Sequence, residues 1–153
     1  MKALIQRVAR AEVQAAGATV SRIDTGILIF LGVEKGDGQL GAELLAGKVA
    51  HLRIFEDDDE KMNLSVIDIG GSALVISQFT LCADTRKGRR PSFTNACDPL
   101  PAQGLYMHFV KTLRSYISRV EMGIFQAAMS VHLVNQGPAT FLIEQPPVRG
   151  TAT

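Results

Sequence analysis

The sequence predicts an α+β fold, with a mixed or antiparallel sheet curled toward a barrel and flanking helices. Three observations carry that expectation. Residues 26–33 are a continuous apolar run of strand length with glycines marking its ends, and residues 73–81, after Gly70-Gly71, are a second strongly apolar strand. A stretch over about residues 102–121 has helical rather than alternating apolar periodicity. The strand-like segments also do not alternate with helices in the βαβ order of a doubly wound sheet. With 153 residues, 46% of them hydrophobic, the chain suffices for one domain with a real core. So generous an apolar share points to a buried subunit interface.

Taken in order, residues 3–8 and 12–16 read as strands separated by a short charged turn. The run 26–33 is the strong strand. Asp37 then stands where it caps a helix over about residues 39–52, with Leu45, Val49 and Leu52 at helical spacing. Residues 53–55 form a short strand. The five acidic residues 56–60 read as a solvated turn. After Gly70-Gly71 comes the strand 73–81, then a polar, basic loop over 84–93. Pro99 and Pro101 precede the helix 102–121, where Leu105, Phe109, Leu113, Tyr116 or Ile117, and Val120 make one apolar stripe for core packing. Two final strands, 130–134 and 139–144, flank a turn at 135–138. Residues 1–145 make a single domain, and 146–153 have the composition of a flexible C-terminal tail.

Composition excludes several classes. Sixteen Lys and Arg against 15 Asp and Glu leave a net charge of +1, unlike proteins that hold duplex nucleic acid through many phosphates. Charged residues are only 20% and mean hydropathy is +0.14, which argues against disorder. Two cysteines, Cys82 and Cys97, make no disulfide scaffold. Arg7 and Arg10 interrupt any signal-type apolar run, and no stretch reaches the ~20 residues of a membrane span. A soluble, cytoplasmic protein with no membrane association is expected. His51, His108 and His132 lie far apart, so no metal site is expected, and no GxSxG elbow is present.

Four segments are candidate sites. Gly36-Asp37-Gly38-Gln39-Leu40-Gly41 fits GxGxxG after a strand, which makes a nucleotide-cofactor site the alternative function. Glu34 would repel a pyrophosphate there, and too little βαβ pattern follows. Ser77-Gln78-Phe79-Thr80 ends a buried strand, a rigid place from which backbone N–H groups can face an oxyanion; simple alternation also explains it. Gly137-Pro138 reads as a hairpin turn, or, if cis, as a holder of outward carbonyls for a substrate ammonium. Arg86, Lys87, Arg89 and Arg90 against Asp84 put a net +3 into seven residues, a solvated loop or an anion site. A non-catalytic, strand-rich interaction module remains the third class.

Together, SQFTL (77–81), KGRRPSF (87–93), GIFQAAM (123–129) and NQGPAT (135–140) resemble the D-aminoacyl-tRNA deacylases. QRVARAEV (6–13), LGVEKGD (31–37) and RIFEDDDEKMN (53–63) are similar to that family too. The resemblance implies a homodimer with active sites at the interface and no cofactor. It implies hydrolysis of the ester of D-aminoacyl-tRNA, and of wrongly placed glycine, as chiral proofreading in translation. In it, Ser77, Gln78, Phe79 and Thr80 would line the ester pocket, with the Phe79 and Thr80 N–H groups on the oxyanion. Gly137 and Pro138, joined by a cis bond, would reach into the partner's pocket and hold the amino group. Arg7 would brace that motif, and Phe125 with Met129 would enclose the terminal adenosine. The basic loop would hold the tRNA end. One departure stands out: Gln136 and Ala139 occupy positions where the family's NDGPVT has Asp and Val.

Overall fold

A computed structural model describes residues 1–148. Its organising element is β1 (Lys2–Ala15), a single 14-residue strand where the sequence predicts two. Along one edge β1 pairs antiparallel with β2 (Ala18–Ile23) and then with β3 (Gly26–Gly32). Arg7 and Val8 are consecutive and both buried, so the in–out alternation breaks without ending the strand. The expected charged turn is absent because β8 pairs with both halves of β1 along its other edge. β2 is an element that the sequence reading does not contain.

β3 pairs in parallel with β6 (Ser72–Ser77), and β6 in parallel with β7 (Val120–Met122). The last strand, β8 (Ser130–Glu144), covers the other edge of β1. The result is a six-stranded mixed sheet in the order β2-β1-β3-β6-β7, with β8 on β1. β2 approaches β6 and β7, nearly closing a barrel. A small hairpin, β4 (Phe55–Glu56) and β5 (Met62–Leu64), carries the acidic residues, and Asp57 takes the N–H groups of Asp59 and Lys61 to fix its turn. The expected solvated turn is there.

Two helices, α1 (Gln39–Ala50) and α2 (Pro99–Leu113), pack on one face of the sheet. Leu45 and Val49 of α1 and Phe109 and Leu113 of α2 meet Ile5, Ile27 and Ile29; burying each large side chain stabilises the fold by about 1.5–3 kcal/mol. Tyr106 hangs from this layer with its hydroxyl donating to the Val75 carbonyl at 2.8 Å, and burial pushes its pKa up to about 12. The opposite face holds Val8, Val13, Ile23, Leu28, Leu74 and Ile76.

Four expectations are corrected. Asp37 does not cap α1: Gly38 occupies the cap, and the Asp37 carboxylate takes the Glu34 N–H and the Met1 ammonium, each at 2.7 Å. The helix 102–121 begins earlier, with Pro99 at its first position, and stops at Leu113, because Val120 joins the sheet opposite Ala73. The strand 73–81 ends at Ser77, and Phe79–Cys82 forms a 3₁₀ turn. Gly137-Pro138 lies in no hairpin: both flanking arms belong to β8 and pair with β1. Of the predicted tail, residues 149–153 lie outside the described residues.

Gly26 is required by close approach, since a Cβ there would stand 1.9 Å from the Ser72 carbonyl oxygen. Gly26→Ala must therefore force β3 from β6. A loss of about 3 kcal/mol or more is expected, read as a lower denaturant midpoint.

Candidate active site

β6 leaves the sheet at Ser77, and the chain turns at once. The Gln78 N–H still donates to the Leu31 carbonyl at 2.8 Å, which anchors the departure point. Phe79 and Thr80 then open the 3₁₀ turn, where the first N–H groups of any helix lack internal acceptors. Among the described residues neither N–H finds an acceptor in the chain. Two adjacent donors are thus held by a rigid strand end and left free. The Gln78 side-chain amide donates to the Thr80 hydroxyl oxygen, tying the two side chains together. No histidine or carboxylate partners that hydroxyl among the described residues.

Beside this turn lies a cavity of about 620 Å³, lined by Ser77, Gln78 and Phe79 with Phe93, Phe125 and Met129 among others. Phe79 is 57% exposed and meets Phe93 edge to face, with centroids 5.1 Å apart. That is an aromatic pair at the mouth of a mostly apolar recess, the setting in which a flat ring is held. Met129 is fixed by the Ile124 N–H, which donates to its Sδ at 3.4 Å. Cys97 also lines the recess, and burial pushes its thiol up. The Cys82 thiol is pushed up to about 11 by burial, so neither cysteine supplies a thiolate near neutral pH. Among the described residues no group of His, Cys, Asp or Glu is arranged to hold a metal ion.

The basic loop ends at this mouth, through Phe93. Its base is closed by the Asp84–Ser92 pair of backbone hydrogen bonds, at 2.7 and 2.9 Å. Arg86 turns back onto Asp84, donating from Nε at 2.9 Å and Nη2 at 2.6 Å, and holds that carboxyl well below the usual carboxylate range. Lys87, Arg89 and Arg90 have no carboxylate partner among the described residues. The loop's +3 therefore sits on those three side chains, and Arg86 stiffens it.

The second constellation is separate. Along β1 and β8, Gln6 pairs with Thr140 but Val8 with Asn135, so residues 136–139 bulge opposite Arg7 alone. The Gly137-Pro138 bond in this bulge is cis, and both residues are exposed. Arg7, 6% exposed, donates from Nε to the Gln136 carbonyl at 3.3 Å and from Nη2 to the Gly137 carbonyl at 3.5 Å. Its Nη1 donates to the Ile54 carbonyl at 2.7 Å, and its Nη2 lies 3.7 Å from Glu56 Oε1. Asn135 closes the neck of the bulge, donating from Nδ2 to the carbonyls of Arg7 at 3.0 Å and Ala139 at 3.1 Å. Sequence reasoning passed over Asn135; its signal was an asparagine two residues before a Gly-Pro turn pair.

Ser77, Gln78, Phe79, Phe125 and Met129 thus share one recess, with Thr80 just outside its lining. Arg7, Gly137 and Pro138 share another place and do not line that recess within one chain. In the GxGxxG segment the Asp37 carboxylate is engaged by the Glu34 N–H and the Met1 ammonium, which puts a fixed negative charge beside the turn. Among the histidines, His51 bonds the Gly47 carbonyl, His108 pairs with Glu43, and His132 is exposed.

The family model for D-Tyr-tRNA(Tyr) deacylase matches residues 4–144. A D-aminoacyl-tRNA deacylase of Thermomicrobium roseum is 53% identical over 150 residues, which cover 98% of this chain and 97% of that one. One of Geobacter sulfurreducens is 54% identical over 144 residues, 94% of this chain and 95% of that one. Among solved structures, a c-Myc DNA unwinding element binding protein superposes with a TM-score of 0.91 at 39% identity, over 95% of this chain and 99% of that chain. A probable eukaryotic D-amino acid tRNA deacylase superposes with a TM-score of 0.77 at 18% identity, covering 93% and 98%, a likeness of fold.

Asn135→Ala removes both bonds at the neck of the bulge. The expected cost is about 1–3 kcal/mol of stability, with amide-exchange protection lost first around residues 136–139. Thermal melting and hydrogen exchange check the two parts separately.

Proposed function

The chain belongs to the D-Tyr-tRNA(Tyr) deacylase family, and from that premise we propose that it hydrolyses the ester joining a D-amino acid to the 3′ end of tRNA. Free amino acid and tRNA are the products, and the service is chiral proofreading in translation. The observation that carries the reading to a mechanism is the pair of free N–H groups at Phe79 and Thr80, beside an apolar recess.

An aminoacyl ester is already activated, so its hydrolysis needs positioning and oxyanion stabilisation more than a strong base. Two backbone donors aimed at the developing oxyanion supply the main term, each worth about 3–4 kcal/mol in comparable sites. The terminal adenosine enters between Phe79, Phe125 and Met129. Water attacks the carbonyl carbon, assisted by the 2′-hydroxyl of the terminal ribose. The tetrahedral adduct collapses by expelling the 3′-oxygen, which takes up a proton. Thr80, whose oxygen accepts from Gln78 and has no base beside it, lines the approach without attacking.

The Gly137 and Pro138 carbonyls receive the substrate ammonium in the recess of a second copy. Their exposure, and their distance from the recess of their own chain, support a homodimer that completes each site. Leu142 of β8, 55% exposed, lies opposite Leu4, which faces Phe30 on β3, and this row is an apolar face suited to such contact. With the ammonium and carbonyl fixed, an L side chain meets protein, whereas a D side chain points outward. Glycine has no side chain to reject and passes. Gln136 brings no charge beside this motif, and Ala139, fully buried, is smaller than the family's Val. Lys87, Arg89 and Arg90 hold the phosphates of the acceptor end. No helix among the described residues is long and apolar enough to cross a membrane. A tRNA substrate supports a cytoplasmic location, with the translation machinery.

A deacylation assay with D-Tyr-tRNA and L-Tyr-tRNA tests this reading. Release from the D ester alone is expected, with Thr80→Ala and Thr80→Ser keeping most of the rate. No release from either ester overturns the activity, and a trapped acyl-threonine overturns the mechanism.

Salt dependence tests the loop. Replacing Lys87, Arg89 and Arg90 together with Ala should flatten the slope of log(kcat/KM) against log[salt] by about 2, since each phosphate contact on a single strand contributes ~0.7. Arg86→Ala should change it by far less, because Arg86 is paired to Asp84.

A further inference from the structure

We propose that Glu56 is a positioning residue for the substrate, offsetting the charge of Arg7 so that the carbonyls of the 136–139 bulge can accept a cation. The inference rests on the reading above, in which those carbonyls hold the α-ammonium.

The bulge has an electrostatic conflict. Arg7 is buried and directs Nη2 at the Gly137 carbonyl, 3.5 Å away, and Nε at the Gln136 carbonyl, 3.3 Å away. It braces the very group that has to attract a positive ligand. A guanidinium behind the carbonyl draws on its acceptor capacity, and its charge repels an ammonium arriving in front. At a separation of about 6 Å and an intermediate effective dielectric, such repulsion weakens binding ~10-fold or more. A bare arginine is therefore a poor brace for an ammonium site.

Glu56 resolves the conflict. Its Oε1 lies 3.7 Å from Arg7 Nη2, the nitrogen that faces Gly137. Among the described residues no other carboxylate is within ion-pair distance of Arg7. The pairing is held by the backbone as well, because Arg7 Nη1 donates to the Ile54 carbonyl two residues before Glu56. Of the acidic neighbours, Asp57 is engaged with the N–H groups of its own turn, and residues 58–60 stand exposed at the tip of the hairpin. Glu56, itself 55% exposed, is the acidic residue of this run whose carboxylate reaches Arg7. Arg7 then acts as a neutral pair toward an incoming ammonium while keeping its directional hydrogen bonds.

A purely structural Glu56 would affect every ligand alike, so the test compares two probes. One is adenosine carrying a D-amino acid through a non-hydrolysable 3′-amide, and the other is its des-amino counterpart. Wild-type protein should bind the amine probe more tightly. Glu56→Gln should shrink that preference about 3- to 10-fold, with the loss confined to the amine probe, and Glu56→Asp should retain most of it. If wild type prefers the amine and Glu56→Gln keeps the full preference, or weakens both probes equally, the role of Glu56 is overturned and the ammonium reading stands. If wild type shows no preference for the amine, the reading of Gly137-Pro138 itself fails, and the role of Glu56 with it.

Discussion

Between Gln6 and Val8 the ladder joining β1 to β8 gives up one residue on β1 and four on β8. The rest of the functional architecture depends on that mismatch. A regular ladder would bury residues 136–139 in pairing and leave their carbonyls spent. The slip sets them free but also leaves a loop in need of support, because unpaired buried backbone groups are costly. Arg7 and Asn135 supply the support: one side chain holds the two carbonyls at the crest, the other ties the two that close the neck. Arg7 is the residue that this slip leaves without a partner on β8, so the same irregularity that creates the loop places its brace beneath it.

The two candidate regions follow a common physical plan. At Phe79 and Thr80, backbone donors are freed by ending a strand in a 3₁₀ turn; at 136–139, backbone acceptors are freed by bulging a strand. Both are anchored to the sheet, whose register fixes them more firmly than a surface loop could. Donors and acceptors of this kind carry no titratable group. A site built from them has little need of histidine, metal or thiolate, which agrees with the raised thiols of Cys82 and Cys97. In the proposed reading, charge is left for handling the two ends of the ligand, phosphates at 87–90 and an ammonium near Glu56.

Much of this was legible in the sequence, and the failures have a shared cause. The apolar strand 26–33, the helix near 39–50 and the acidic turn follow from local periodicity and propensity. The motif residues 77–80 and 137–138 are singled out as candidates by their company rather than by any one of them. What local reading missed were pairings decided far away. Gly-Pro between two strand-like segments reads as a hairpin, and only the fact that both arms bond the same edge of β1 makes it a bulge. Val120 fits the stripe of α2, yet it pairs with Ala73, and Ser115 and Ser118 offer little resistance to ending the helix. Asp37 has the residue type and position of a cap but finds a stronger partner in an ammonium. Glu56 is one of five acidic residues in a row, and nothing in such a run tells which member pairs with a buried arginine.

The near-neutral net charge takes on a different meaning once the charges are located. A total of +1 excludes a protein that grips nucleic acid over a broad basic surface, and the structure gives no reason to revise that. The basic loop and the acidic hairpin are nonetheless opposite local fields, and the proposed ligand is itself of mixed sign. The acylated end of a tRNA has phosphates on one side of the ester and an ammonium on the other. A uniformly basic enzyme would attract the phosphates but repel the ammonium that reports chirality. In the proposed reading, separating +3 on one loop from the carboxylates of the hairpin lets each end of the ligand meet its complement, at the cost of overall attraction. For a site that must read the configuration of one carbon, orientation is worth more than affinity.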